Sequence, residues 1–262
     1  MRLDMALLDR FRLSDRVSPV TGAGRGIGRG IALAFAEMGA HVVCAARSEA
    51  EIEAVAEEAR RFGSRALAVP CDVTDPAQLE DLTRRTMKEF GRIDLLVNNA
   101  GGFPPMPFLD TDLPSWEWCF KFNLNSAFVL TRACVPHMLA GDGGAILNIS
   151  SAAGRIIRKG FVAYGTAKAA LSFMTKQLAA ELAPRVRVNA LAVGAVETAA
   201  LRPFLNDEIR QQMEALTPMR SIGTVEDIAL AALWLCSPAG RWVTGKVVEV
   251  DGGIESTNWP FD

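Results

Sequence analysis

The sequence predicts an α/β fold: a parallel sheet, doubly wound, with helices on both of its faces. Three observations carry that expectation. Short apolar runs alternate with helix-period patterns along most of the chain. Three of the helical patterns stop at a glycine, and an apolar run follows each within a few residues. The first apolar run opens directly into a glycine-rich turn.

Taken in order, Val17-Ser-Pro-Val-Thr21 reads as the first strand and Gly22-Ala-Gly-Arg-Gly-Ile-Gly28 as the turn after it. A helix from Ile27 to Met38 stops at Gly39, and Val42 to Ala46 is the next strand. Helix Glu49 to Phe62 ends at Gly63 before strand Ala66 to Pro70, and helix Pro76 to Phe90 ends at Gly91 before strand Asp94 to Asn98. The alternation continues with helix Leu113 to Leu139, strand Ala145 to Ile149, helix Val162 to Leu182 and strand Val186 to Leu191. A helical but irregular segment from Thr198 to Ser221, helix Val225 to Cys236 and strand Lys246 to Val250 complete the pattern. Continuous apolar strands between amphipathic helices are the mark of a parallel sheet buried on both sides. Pro19 is a conflict, because a proline inside a central strand removes a ladder donor.

Of the 262 residues, 50 % are hydrophobic and 22 % charged, the balance of a globular protein with a substantial core. No linker-like or low-complexity stretch breaks the pattern, so one domain over residues 1–262 is expected. A formal net charge of −2, with both signs interspersed, gives no footprint for nucleic acid or an anionic membrane. Cys44, Cys71, Cys119, Cys134 and Cys236 are scattered, without a C-x-x-C or a Cys/His cluster. Neither a disulfide framework nor a metal site is indicated. The first ten residues carry charge every few positions and lack a signal-peptide apolar stretch. No apolar run approaches the ~18 residues of a membrane span. A soluble, cytoplasmic protein is expected.

Gly22, Gly26 and Gly28 let the backbone turn tightly and approach a ligand, with Ile27 opening the helix whose N-terminus favours a pyrophosphate. No Gly-Lys-Ser/Thr follows, which argues against a P-loop nucleotidase. A dinucleotide is the expected ligand. About 20 residues on, a carboxylate at the end of the second strand would mark NAD. Arg47 stands there instead, and Arg25 lies inside the turn. Two guanidiniums suit a 2′-phosphate, so NADP(H) is expected over NAD(H).

Tyr164, the single tyrosine of the chain, and Lys168 lie one helical turn apart on the same face. An ammonium beside a phenol favours the phenolate and is expected to lower the tyrosine pKa toward the range useful for proton transfer. His41 and His137 fall at a strand start and late in a helix, and no G-x-S-x-G elbow occurs. A histidine-based hydrolytic triad is therefore not expected.

The chain resembles the short-chain dehydrogenase/reductase family from about Leu13 to Gly253. The matching stretches are Thr21-Gly-Ala-Gly-Arg-Gly-Ile-Gly28, Cys71-Asp-Val-Thr74, Asn98-Asn-Ala-Gly101, Asn123, Asn148-Ile-Ser-Ser151, Tyr164-x-x-x-Lys168 and Val250-Asp-Gly-Gly253. More loosely, Asn98 to Gly102 and Asp227 to Gly245 resemble hydroxysteroid dehydrogenases of the bacterial 7α type. The resemblance implies a Rossmann-like sheet of seven strands, a homotetramer built through long helices, and a catalytic set of Asn123, Ser151, Tyr164 and Lys168. It places Asp72 and Val73 against adenine, Asn98, Asn99, Ala100 and Gly101 along the cofactor cleft, and Gly194 and Thr198 toward nicotinamide.

In this scheme Tyr164 is the general acid/base and Ser151 the donor to the substrate oxygen. Lys168 tunes the tyrosine and holds the nicotinamide ribose, while Asn123 holds a proton-relay water. The family usually has Pro-Gly after the sixth strand, whereas this chain has Val193-Gly194, losing a fixed backbone angle.

The implied reaction is hydride transfer between NADP(H) and a secondary alcohol or ketone. A lid over about 194–222 carries Val196, Leu201, Phe204, Leu205, Met213, Leu216 and Met219, which suits a bulky apolar, steroid-like or cyclic substrate or simply packs the lid on the core. Phe103, Phe108, Trp116 and Trp118 are open to the same two readings. The tail Trp259-Pro-Phe261 either caps a neighbouring subunit or lies loose. Two competing readings are a 3-oxoacyl thioester reductase and a non-catalytic NADP(H)-sensing protein.

Overall fold

A computed structural model describes residues 6–199, 201–202 and 205–258. Phe204 and the tail Trp259-Pro-Phe261 lie outside the described residues. The chain runs β1 (Val17–Thr21), α1 (Gly26–Glu37), β2 (His41–Ala46), α2 (Glu49–Arg60), β3 (Ala66–Pro70), α3 (Pro76–Phe90) and β4 (Leu95–Asn98). It continues through α4 (Leu113–Phe120), α5 (Ser126–Ala140), β5 (Gly144–Ser151), α6 (Val162–Leu182), β6 (Val186–Val193), α7 (Asp207–Leu216), α8 (Val225–Cys236) and β7 (Val247–Val250). The seven strands form one sheet in the order β3-β2-β1-β4-β5-β6-β7, and every pairing is parallel. This is the Rossmann-like, doubly wound sheet expected from the sequence.

Strand alternation sorts the core onto two faces. Val42 and Cys44 of β2 pack with Ile31 and Phe35 of α1, Ile52 and Val55 of α2, and Ile228 and Leu233 of α8. Val43 and Ala45 of the same strand pack the other way, with Leu79 and Leu82 of α3 and Leu130 and Met138 of α5. Helices therefore cover both sides, which explains why no strand reads as half polar.

Three details depart from the sequence reading. The helix expected from Leu113 to Leu139 runs from Leu113 to Ala140 without a gap, but it contains a π-turn at Lys121–Asn125 between α4 and α5. Among the described residues between Thr198 and Ser221, regular α-helix is confined to α7. β5 runs two residues past Ile149, which carries the strand to Ser151.

Pro19 lies inside β1, paired with Val43 of β2. The carbonyl of Arg16 accepts from His41 on the β2 side, and that of Val17 accepts from Asp94 on the β4 side. Alternation then turns Pro19 toward β4, where its missing N–H leaves a single registered pair, Val20 with Val97. The five-residue register with β2 is untouched.

Candidate active site

Strand order reverses between β1 and β4, and the crevice outside the strand ends at such a point is where open α/β sheets take ligands. Thr21 ends β1 there, and its Oγ1 accepts from the backbone N–H groups of Asn99 and Ala100, both at 3.0 Å. Asn99 returns a bond from Nδ2 to the Thr21 carbonyl at 2.7 Å. The post-β4 segment is thereby laid against the glycine turn. Gly22 and Gly26 have φ of +65° and +56°, conformations that favour glycine. A methyl group at Gly28 would strike the Gly22 carbonyl and the Asn99 amide.

Ile27 and Gly28 form the first turn of α1, and Arg25 is its N-cap, with no side-chain capping bond. By contrast α2, α3, α4, α7 and α8 are capped by Ser48, Asp75, Asp112, Asn206 and Thr224. The opening N–H groups of α1 thus lack a side-chain acceptor, which suits a phosphate. Open backbone, glycine cradle and uncapped helix together fit a dinucleotide.

Arg25, within this turn, and Arg47, just after β2, are both exposed. The Asp72 carboxylate accepts from the Thr74 N–H at 2.9 Å and the Thr74 hydroxyl at 2.8 Å. The bond from the Thr74 backbone lowers its pKa most, with help from the Thr74 hydroxyl and the charge of Arg47. Val73 is buried and lines a cavity of about 570 Å³ with Thr74, Trp116, Phe120 and Lys121. That cavity lies beside α3 and α4, and Tyr164 is not among its lining residues.

α6 carries Tyr164 and Lys168 on one face. Lys168 is buried, and its Nζ donates to the Ile149 carbonyl at 2.9 Å, 5.7 Å from the Tyr164 ring centre. Asn123 sits in the π-turn, where its Oδ1 accepts from the Gly102 N–H at 2.7 Å. Its Nδ2 donates to the carbonyls of Gly102 at 3.1 Å and Cys119 at 2.9 Å. A Cβ on Gly101 would stand 2.8 Å from Asn123 Oδ1 and 2.9 Å from Lys168 Nζ. Gly101 is thus the piece that lets these two side chains share one wall.

Ser151 ends β5, and its Oγ accepts from the Ala153 N–H at 3.2 Å. Ser150, on the opposite strand face, donates to the Lys168 carbonyl at 3.0 Å and pairs with Ser172 at 2.7 Å. Asn98 is equally structural, donating to Thr131 at 3.1 Å and Asn148 at 2.9 Å.

The electrostatics correct one expectation. Lys168 was expected to acidify Tyr164, but burial raises the Tyr164 pKa above its usual value, and hydrogen bonding with Ser151 offsets this only in part. Burial also pulls Lys168 down to about 8. Burial pushes each group toward its neutral form, because desolvation is the largest influence on both. Cys119, beside them, is pushed up to about 11 by burial and stays a thiol.

Thr198 lies against the turn, its Cγ2 3.5 Å from where a Cβ on Gly26 would stand. Gly194 is braced by β7: its N–H donates to the Val250 carbonyl at 3.1 Å, and a Cβ would fall 2.6 Å from Asp251 Cα. Val193 remains a strand residue, paired with Ser151 and Val250. Of the lid stripe, Val196 and Met213 are buried, Leu201 and Leu205 half-buried, and Leu216 and Met219 exposed. Phe103, Trp116 and Tyr164 pack around Cys119, Ala163 and Ala167, and Phe108 is exposed.

Sequence reasoning passed over Thr21 as a brace, though a hydroxyl at the strand end just before the turn was a usable signal. It also passed over Arg155, which holds Asp251 at 2.6 Å and Glu249 at 3.1 Å and ties the segment after Ser151 to β7. A contact 96 residues apart leaves no local mark.

A family model described as enoyl-(acyl carrier protein) reductase matches residues 22–255. The chain is a short-chain dehydrogenase/reductase. This dehydrogenase/reductase is 48 % identical to an uncharacterized oxidoreductase of Mycobacterium tuberculosis, over 96 % of this chain and 97 % of the relative. It is 38 % identical to a 3-oxoacyl-[acyl-carrier-protein] reductase of Aquifex aeolicus, over 93 % and 99 %. A solved 7α-hydroxysteroid dehydrogenase, in complex with NADH and 7-oxo glycochenodeoxycholic acid, superposes with a TM-score of 0.92 at 38 % identity, over 95 % of this chain and 98 % of that one. Such a dehydrogenase/reductase is an oxidoreductase that binds a nicotinamide dinucleotide. Among its described residues no helix is long and apolar enough to cross a membrane, and no cluster could hold a metal ion.

Proposed function

We propose that the protein transfers a hydride between NADP(H) and a secondary alcohol or ketone with a bulky apolar body, Tyr164 moving the proton. The observation that carries this is the meeting of Tyr164, Lys168, Asn123 and Ser151 at the carboxyl edge of the sheet, next to an uncapped glycine turn. The bound cofactor supplies or accepts the hydride.

Gly22, Gly26, Ile27 and Gly28 hold its pyrophosphate, Arg25 and Arg47 its 2′-phosphate, and Asp72 and Val73 its adenine. Asn99, Ala100, Gly101, Gly194 and Thr198 line the cleft toward nicotinamide, with Lys168 on the ribose. Tyr164 gives its proton to the substrate oxygen in reduction and takes one back in oxidation. Ser151 donates to that same oxygen where negative charge develops. Asn123, its amide fixed on three sides, holds the water that returns protons to Lys168.

Residues 194–222 form a lid whose exposed Leu216 and Met219 and half-buried Leu201 and Leu205 meet the substrate body. Exposed Phe128 on α5 and Phe173 and Val162 on α6 support assembly as a homotetramer through these helices. Five unpaired, buried cysteines suit the reducing cytoplasm.

The likeness to a 3-oxoacyl reductase favours a second reading, an acyl thioester substrate. Cofactor-coupled absorbance with a panel of steroid and cyclic ketones and acetoacetyl thioesters tests both. Fastest turnover on the cyclic ketones is expected. Thioester preference would replace the first reading with the second. Cofactor binding without turnover of any carbonyl would leave a sensing protein.

A further inference from the structure

Glu51 stands in the first turn of α2, three residues after its N-cap Ser48. In the pattern Ser-x-x-Glu the acidic side chain normally turns back to the N-cap N–H, completing a capping box. α8 does this: Asp227 accepts from the Thr224 N–H at 2.7 Å while Thr224 Oγ1 accepts from Asp227 N–H at 3.2 Å. α2 makes half of it. Ser48 Oγ accepts from the Glu51 N–H at 3.4 Å, and the Glu51 carboxylate does not return the bond. It lies instead across the glycine turn, with Oε2 2.8 Å and Cβ 3.0 Å from where a Cβ on Gly24 would stand. Among the described residues that carboxylate accepts no hydrogen bond and pairs with no cation.

Glu51 is exposed, so its carboxylate stands open to solvent and to a ligand beside the turn that carries Arg25, four residues after Arg47 just past β2. An ionised carboxylate only accepts, so it welcomes a ribose hydroxyl and repels a phosphate. We infer that Glu51 is a specificity-determining residue for the adenosine ribose, favouring a 2′-hydroxyl and opposing the 2′-phosphate that the two arginines attract. This rests on the reading that the turn holds the adenosine half of the cofactor. The enzyme then keeps appreciable affinity for the unphosphorylated dinucleotide, and Glu51 limits its preference for the phosphorylated one.

The test is calorimetric titration of wild type, Glu51→Gln and Glu51→Ala with ADP-ribose and with 2′-phospho-ADP-ribose. Removing the charge should raise the preference for the phosphorylated probe roughly fivefold, the equivalent of the ~1 kcal/mol between unit charges ~4 Å apart in water. The Glu51 side chain takes no part in the cap of α2 and Gln keeps its length, so thermal unfolding of Glu51→Gln should match the parent. An unchanged ratio of the two affinities in both variants would overturn the inference, as would equal tightening of both probes. Failure of the NADP(H) reading shows separately, in wild type alone, as equal or tighter binding of ADP-ribose.

Discussion

Burial raises the Tyr164 pKa and lowers that of Lys168 in the free protein, and the pH dependence of turnover follows from the tyrosine. A tyrosine held above its ordinary value of about 10 stays protonated through neutrality, which is the form needed to donate in ketone reduction. The kcat/KM for reduction should be flat through neutral pH and fall only on the alkaline side. Alcohol oxidation needs the phenolate and should climb from neutral into the alkaline range. Opposite slopes in the two directions, measured on one enzyme, check this. Ser151→Ala should lower kcat by about 10²–10³, the usual cost of one donor to a developing oxyanion, with cofactor affinity little changed in a fluorescence titration. Tyr164 and Lys168 could be picked out in the sequence because their spacing is local, whereas Asn123 and Ser151 entered only through the resemblance to the family. The direction of the Tyr164 shift could not, since burial is a tertiary quantity and here it outweighs the neighbouring amine.

At the level of elements, the turn between β1 and α1 and the π-turn between α4 and α5 do the positioning. Gly28→Ala would drive a methyl into the Gly22 carbonyl and the Asn99 amide. Cofactor binding should be lost, and stability should fall by ~1–3 kcal/mol, typical of overpacking. Cofactor titration and a thermal melt check the two parts. The first strands and helices were readable because α1, α2 and α3 each stop within a few residues of a glycine, as at Gly91, the left-handed cap of α3. The π-turn was not. An inserted residue leaves the apolar pattern from Leu113 to Leu139 continuous, and only coordinates show that it re-aims Asn123. Strand β5 was read two residues short for a similar reason: the serines at 150 and 151 ended the apolar run but not the ladder.

Across the whole molecule the sheet separates two tasks, with the site at the carboxyl ends of β1, β4 and β5 and a charged anchor at the opposite end. Asp94, buried just before β4, accepts from the Val17 N–H at 2.9 Å, Arg92 at 2.8 Å and Arg16 at 2.9 Å. Burial alone would raise its pKa, but these bonds hold it below the ordinary carboxylate value. A depressed folded-state pKa contributes stability above the unfolded value of about 3.9, and that contribution is lost as pH falls through the folded one. Asp94→Ala should cost about 2–3 kcal/mol in denaturant unfolding, less than a fully buried pair because both arginines are more than 40 % exposed. The KM for cofactor should not move.

In the proposed mechanism one phenol, that of Tyr164, serves as the proton carrier at the cofactor cleft. Steady-state turnover of Tyr164→Phe, with NADPH affinity measured alongside, is the most direct test. The variant should bind NADPH as the parent does and reduce ketone ~10²–10⁴-fold more slowly, the loss expected when acid/base catalysis is removed. Parental turnover by that variant would contradict the assignment of Tyr164.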